Sequence, residues 1–240
     1  MFACSVLESA SPLHVLPPLH RARVLHRPSK TIKSPYVADI VLEDGTHALC
    51  HTPGLGCSGL VAPGRTLYVS KAARETAKTD YTAQLAECTD AEGTYCIGIH
   101  PMVSQAMAAK LLGNVHPDVT WRSEVKIDDH TRIDFMGTTS QGKVVYVEVK
   151  NAMISHQVET MGRSQRRAVF PEGYRKSKAD TFSPRALKHA TILGALAKRP
   201  ETEAAYLLYI VPRHDCGDGL ELNHADPIYR AGVAQALANG

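Results

Sequence analysis

From Arg21 to Ile99 the chain alternates short apolar runs with turn-forming residues. The segments RARVLHR, YVADIVLED, THALCHT, RTLYVSK, YTAQLAECT and GTYCIGI are parted by Ser-Pro, Asp-Gly, Pro-Gly and Glu-Gly pairs, a punctuation that predicts short strands. Asp44-Gly45 marks a tight hairpin between two of them. Strands this short and this evenly spaced predict a small closed or partly open barrel over 21–100, for which an OB-like fold is one solution. Such a barrel can bind nucleic acid or serve only as a packing module.

The pattern then changes period. PMVSQAMAAKLL, from Pro101 to Leu112, is rich in helix formers, opens on proline and meets Gly113 as a stop. A bridging helix over 101–113 is expected, with Met102, Ala106, Ala109 and Leu112 as its packed stripe and His100 as a cap or loop residue. Beyond it, RIDFM and KVVYVEVKN read as two strands of a hairpin joined by TTSQG. A period of two places Glu148 and Lys150 on one face and Val147 and Val149 on the other; likewise Arg132 and Asp134 oppose Ile133 and Phe135.

The stretch 155–182 is polar and basic and follows neither period, so it reads as a long loop. Two readings of it stay open: a clamp on a phosphate backbone built from Arg163, Arg166, Arg167, Arg175, Lys176 and Lys178, or a disordered insertion. Ser183-Pro184 opens a helix in which Arg185, Lys188 and His189 share a face and Leu187, Ile192, Leu193 and Leu196 form the packed side. AAYLLYIVPR, from Ala204 to Arg213, is apolar enough for a sheet strand covered on both faces. A last helix follows, with Asp226 as cap and Gly240 as stop. This order of elements is α+β or α/β.

The interrupted strand carries the candidate chemistry. In a hairpin the carboxylates of Asp134 and Glu148 and the ammonium of Lys150 can converge on one side of the sheet. Two hard oxygen donors suit Mg²⁺ or Mn²⁺, which keeps several waters and takes substrate phosphate. Lysine beside such a centre can orient the attacking water, and Glu124 is a third acid within reach. The alternative is a solvated charge ladder, each pair contributing about 0.2–1 kcal/mol.

Composition narrows the classes. A length of 240 residues allows one large or two small domains, and a net charge of +3 is too small to mark a nucleic-acid coat protein. No apolar run approaches the ~18 residues of a membrane helix, so a cytoplasmic protein without membrane contact is expected. Residues 1–20 lack the charged start of a secretory signal and read as a loosely attached arm, with organelle targeting left open. Cys4, Cys50, Cys57, Cys88, Cys96 and Cys216 have no CxxC spacing, which argues against zinc or a disulfide framework. A Cys50–Cys57 bridge stays open.

The blocks SEVK (123–126), RIDFM (132–136) and YVEVKN (146–151), followed by Phe170-Pro171 and by Arg185, Lys188 and His189, resemble the sugar fermentation stimulation protein family from about Ala22 to about Leu237. The resemblance implies an N-terminal OB-like barrel over 21–100 and a PD-(D/E)xK, restriction-endonuclease-like mixed-sheet domain over 114–240. It also implies DNA as the partner. On it, Asp134 and Glu148 hold Mg²⁺ or Mn²⁺, Lys150 positions water, Glu124 assists, and Arg185, Lys188, His189 and Arg132 face nucleic acid. A non-catalytic DNA-binding regulator of sugar metabolism is the alternative, and RNA as ligand and a homodimer stay open. Where the family has a PNTG-like turn this chain reads HTPGLG (51–56), and the family's final strand does not follow the last helix here.

Overall fold

In the computed structural model, residues 12–54, 57–74, 76–155, 162–173, 175, 177, 179–217 and 219–239 are described. The six predicted strands form: β1 (His20–His26), β2 (Val37–Leu42), β3 (His47–His51), β4 (Thr66–Lys71), β5 (Tyr81–Asp90) and β6 (Gly93–Gly98). They lie in the order β3-β2-β1-β4-β5-β6, and a parallel pairing of β3 with β5 at Cys50↔Tyr81 closes the sheet into a ring. Closure leaves one inward row per strand to fill the core, and Val24, Ile40, Leu67, Val69 and Ile97 are almost completely buried there. The Asp44-Gly45 turn is a tight one: Gly45 has φ 86° and Leu42 N–H donates to the Thr46 carbonyl at 2.9 Å. This is an OB-like barrel, with β6 added at the edge of β5.

Helix α1 (Pro101–Val115) starts as expected, with His100 Nδ1 accepting the Met102 N–H at 3.2 Å. It does not stop at Gly113. The helix runs to Val115, and the His116 N–H closes it on the Leu112 carbonyl at 2.9 Å. The packed stripe is also displaced from the expected one. Ser104, Ala108 and Leu112 are buried, whereas Met102 is 59% exposed and Ala109 faces solvent. Ser104 belongs inside because its hydroxyl donates to Asn151 Oδ1 at 2.9 Å.

The chain continues through β7 (Thr120–Asp128), β8 (Thr131–Thr138), β9 (Val144–Asn151), β10 (Ile154–Ser155), β11 (Ala168–Phe170), α2 (Pro184–Ala197), β12 (Thr202–Ile210), β13 (Leu220–Leu222) and α3 (Pro227–Ala238). A mixed sheet has the order β12-β9-β8-β7, with β12 parallel to β9 and the other pairs antiparallel. One face packs Phe135, Val145 and Val147 on α1. The other packs Tyr146 on Leu193 and Leu196 of α2. Behind α2 lies α3, close enough that a Cβ at Gly194 would sit 3.0 Å from Ala236 Cα. β12 lies at the hydrogen-bonding edge of this sheet, yet both its faces are covered as its composition suggests: Ala204 and Leu208 pack on the α1 side and Ala205 and Leu207 on the α2 side, while Tyr206 is 45% exposed. Two expected capping residues are in place: Ser183 Oγ accepts the Ala186 N–H at 3.3 Å, and Asp226 Oδ1 the Tyr229 N–H at 3.0 Å. Gly240, Cys4, Lys176 and Lys178 lie outside the described residues, as do 1–11 of the expected arm.

The basic stretch 155–182 is neither a free clamp nor wholly irregular. Its β10 and β11 pair antiparallel, and β11 pairs parallel with β13 in a third sheet. Arg163 and Arg166 both bind Asp90 at the end of β5, through contacts of 2.8 and 2.6 Å. Arg166 also reaches Asp215 at 3.2 Å, which in turn holds Arg213 at 2.6 Å. Two of the arginines read as phosphate contacts are therefore committed to carboxylates remote in sequence. Arg167 pairs with Glu221 at 3.2 Å, and Arg175 lies over the Phe182 ring at 5.2 Å. Cys50 and Cys57 are free buried thiols, and burial pushes them up to about 12 and about 11, so both stay protonated.

Asp215 is fully buried, and burial alone would favour its neutral form, yet the Arg213 guanidinium holds it below the usual carboxylate range. Removing it strands the buried side chain of Arg213 without its counter-charge. Asp215→Ala is expected to lower unfolding stability by about 3 kcal/mol, checked by urea denaturation beside wild type.

Candidate metal centre and adjoining groove

The site forms where the β8–β9 ladder ends. Backbone pairing runs from Thr138↔Val144 to Phe135↔Val147 and stops. At the next step the Asp134 side chain replaces the main chain, and its Oδ2 accepts the Val149 N–H at 2.7 Å. The β7 strand is irregular at the same level: Glu124, opposite Asp134 between the pairs Ser123↔Phe135 and Val125↔Ile133, has φ 53°. A left-handed glutamate inside a strand is a sparsely populated conformation, held only where its surroundings enforce it.

This irregularity overturns one expectation. Ile133 and Phe135 do not share a face: Ile133 packs with Tyr146, Leu193 and Leu196, and Phe135 with Val147, Ala108 and Leu112. Strict alternation fails because the strand parts from β9 at Asp134, so the carboxylate sits at a break in the sheet instead of in a regular row.

Glu148 is 2% exposed on β9. Its Oε1 accepts from both the Lys150 ammonium and His189 Nδ1, while Oε2 is buried without a hydrogen-bond partner. Lys150 Nζ also lies 3.4 Å from His189 Nδ1. Burial works to raise the Glu148 pKa, but the His189 hydrogen bond and the Lys150 charge outweigh it and hold the carboxyl below its ordinary value. Asp134 goes the other way. Burial raises its pKa first and the neighbouring Glu148 charge second, against the Val149 N–H and Lys150. The surroundings thus push these two neighbouring carboxyls in opposite directions.

Of the residues singled out from sequence, the structure thus brings together Asp134, Glu148, Lys150 and His189. Glu124 is exposed and is bridged to Asp134 by Gln105, whose Nε2 is 2.8 Å from Asp134 Oδ1 and 3.5 Å from Glu124 Oε1, while its charge adds weakly to the rise of the Asp134 pKa. The sequence pattern does not single out Gln105 and Ser104. Together they tie α1 to both motif strands, and a serine at the i, i+4, i+8 spacing of Ala108 and Leu112 was the signal that this face meets something polar.

Among the described residues no three His, Cys, Asp or Glu side chains gather as a metal cage. The donor set is two carboxylates, with the unpartnered Glu148 Oε2 as the open atom. That fits a hard cation which keeps most of its water, and does not fit zinc.

A groove of about 660 Å³ opens beside the site between the β7–β8 turn and the start of α2. Arg132, Arg185 and Lys188 line it, and His189 lies where it meets Glu148. Lys188 Nζ donates to the His130 carbonyl at 3.1 Å, while Arg132 and Arg185 have no ion-pair partner among the described residues. Lys126, also in the wall, is neutralised by Asp129 at 2.7 Å.

The family model described as the sugar fermentation stimulation protein RE domain matches residues 99–240. A sugar fermentation stimulation protein homolog of Rhodospirillum centenum is 32% identical over 210 residues, covering 85% of this chain and 82% of the relative. The homolog of Synechococcus elongatus is 32% identical over 234 residues, 94% of this chain and 88% of its own. The structure of Pyrococcus furiosus SfsA in complex with Ca²⁺ aligns with a TM-score of 0.73 at 19% identity, over 96% of this chain and 89% of that one, which establishes the shared fold.

Because Asp134 is a half-buried carboxyl with a raised pKa, its charge opposes folding when no cation is present. Such a group favours the folded state below the ordinary carboxylate pKa, and that contribution is lost as pH rises through the folded pKa. In EDTA at pH 7, Asp134→Asn is expected to melt on the order of 2 °C above wild type. The gap should close at pH values under the carboxylate range, a comparison made by thermal denaturation at both pH values.

Proposed function

Because the chain belongs to the sugar fermentation stimulation protein family, we propose that it is a divalent-metal-dependent nuclease which binds DNA along the Arg132–Arg185–Lys188 groove. The observation that carries this reading is Glu148 Oε2: a buried carboxylate oxygen without a donor, beside a second carboxyl that its charge perturbs. Native proteins rarely leave such an atom unsatisfied except where an ion or a water completes the site.

Asp134 and Glu148 would hold the cation, Mg²⁺ or Mn²⁺ by the hardness of the donors. When bound it supplies Lewis-acid polarisation of a phosphodiester and lowers the pKa of an attacking water. The side chains contribute the remainder. Val149 N–H and Gln105 fix the Asp134 carboxylate in one orientation. His189 and Lys150 keep Glu148 ionised by bonding one of its oxygens and leaving the other free. Lys150, 11% exposed, presents its ammonium at the same point, where it can orient water and offset charge on the phosphate. Arg132 and Arg185, having no carboxylate of their own, are available to the phosphate backbone. The Ca²⁺ bound by the Pyrococcus furiosus protein accords with an oxygen-lined divalent site in this fold.

Purified protein incubated with plasmid and with single-stranded oligonucleotide should cleave in Mg²⁺ or Mn²⁺ and not in EDTA. Asp134→Ala and Lys150→Ala should each reduce the rate by about 100-fold or more. Salt-sensitive binding with no cleavage in either metal would overturn hydrolysis and leave a DNA-binding regulator.

A further inference from the structure

A second site lies on the barrel, at the loop after β1. Arg27 lines a pocket of about 260 Å³ whose other walls include Pro28, Pro35, Val61 and Pro63. Its guanidinium donates through Nη2 to the Gly54 carbonyl, and its Nε is buried without any hydrogen-bond partner. Among the described residues no carboxylate pairs with it. Burial lowers its pKa, and only Cys57 and Tyr36 act in the opposite sense. Thr52, two residues before Gly54, has a completely buried hydroxyl that is also unpartnered. Lys30 and Lys33 stand exposed on the same loop, with Asp39 as the one opposing acid beside Lys30.

A half-buried arginine without a counter-charge is unusual, because guanidinium is kept in protein interiors by carboxylates or by ligands. The walls of this pocket are apolar rings and aliphatic groups, which cannot solvate an anion but can lie against a sugar or a base. We propose that the barrel binds the phosphate of a nucleotide unit at Arg27, with the attached nucleoside packed on Pro28, Pro35 and Pro63. Arginine's planar donors match phosphate oxygens, and Lys30 and Lys33 extend the positive field along a polynucleotide. The pocket contains neither Asp134 nor Glu148, so it does not depend on the hydrolytic reading.

The test is an NMR titration of the ¹⁵N-labelled full chain in EDTA with thymidine 5′-monophosphate, thymidine and inorganic phosphate. The monophosphate should shift the Gly59 and Gly64 amides saturably, inorganic phosphate should do so more weakly, and thymidine should not shift them. Arg27→Met should weaken the monophosphate by about tenfold, the loss of one hydrogen bond to a charged group. Pro63→Glu, at an exposed wall position, should weaken it as well with the barrel spectrum intact, and decides the matter if Arg27→Met does not fold. Unaltered monophosphate binding in the folded variant, equal binding of thymidine, equal binding of inorganic phosphate, or no saturable shift would each overturn the assignment.

Discussion

Asp134 takes the Val149 N–H at the step where the β8–β9 backbone ladder ends, and the rest of the site depends on that exchange. A central strand cannot leave an amide unpaired without losing stability, so any divergence of β8 from β9 needs a substitute acceptor. The carboxylate provides it and in doing so is pulled out of water. Its oxygens are thereby fixed in direction, Glu148 is brought close enough to perturb it, and Ile133 is released to pack on the α2 side.

The supports around this point are of different kinds. Helix α1 acts on it with polar groups, Ser104 on Asn151 and Gln105 on Asp134. Helix α2 combines aliphatic packing through Leu193 and Leu196 with one buried imidazole, His189, on Glu148. Two helices on opposite faces of one sheet thus hold the two carboxylates, one through Gln105 and the other through His189. Farther off, the Asp90, Arg163, Arg166, Asp215 and Arg213 chain joins the barrel to the segments following β9 and β12. Both of its carboxylates, and all three of its guanidiniums, are engaged in ion pairs within the protein. Fewer of the basic residues of 155–182 are therefore open to a ligand than the sequence implies, whereas Arg132 and Arg185 at the groove and Arg27 on the barrel have no ion-pair partner among the described residues.

Much of this was legible in the residues. The six barrel strands follow from turn-forming pairs between β-prone runs, and the Asp44-Gly45 hairpin from the backbone freedom of its glycine. The caps Ser183 and Asp226 follow from the need of helix starts for an acceptor. Alternation in YVEVKN placed Glu148 and Lys150 on one face, because side chains along a strand have no other option. These are local consequences of bond geometry and hydrogen bonding, and the sequence by itself determined them.

Other features depended on contacts between residues far apart in the chain. Alternation gave no warning of the break at Asp134, since the break exists only when β8 meets β9. Composition showed that both faces of β12 would be covered, but its place at the end of the sheet is a matter of strand order. The arginines of 155–182 looked free because Asp90 and Asp215 are distant in sequence, and only folding brings those acids to them. Gln105 became a holder of two carboxylates in the same way. The sequence by itself set which elements form and which charged groups an inward face must carry. The tertiary structure alone decided which charges cancel, which stay open, and where a buried oxygen is left without a donor, because these are questions of proximity across the fold.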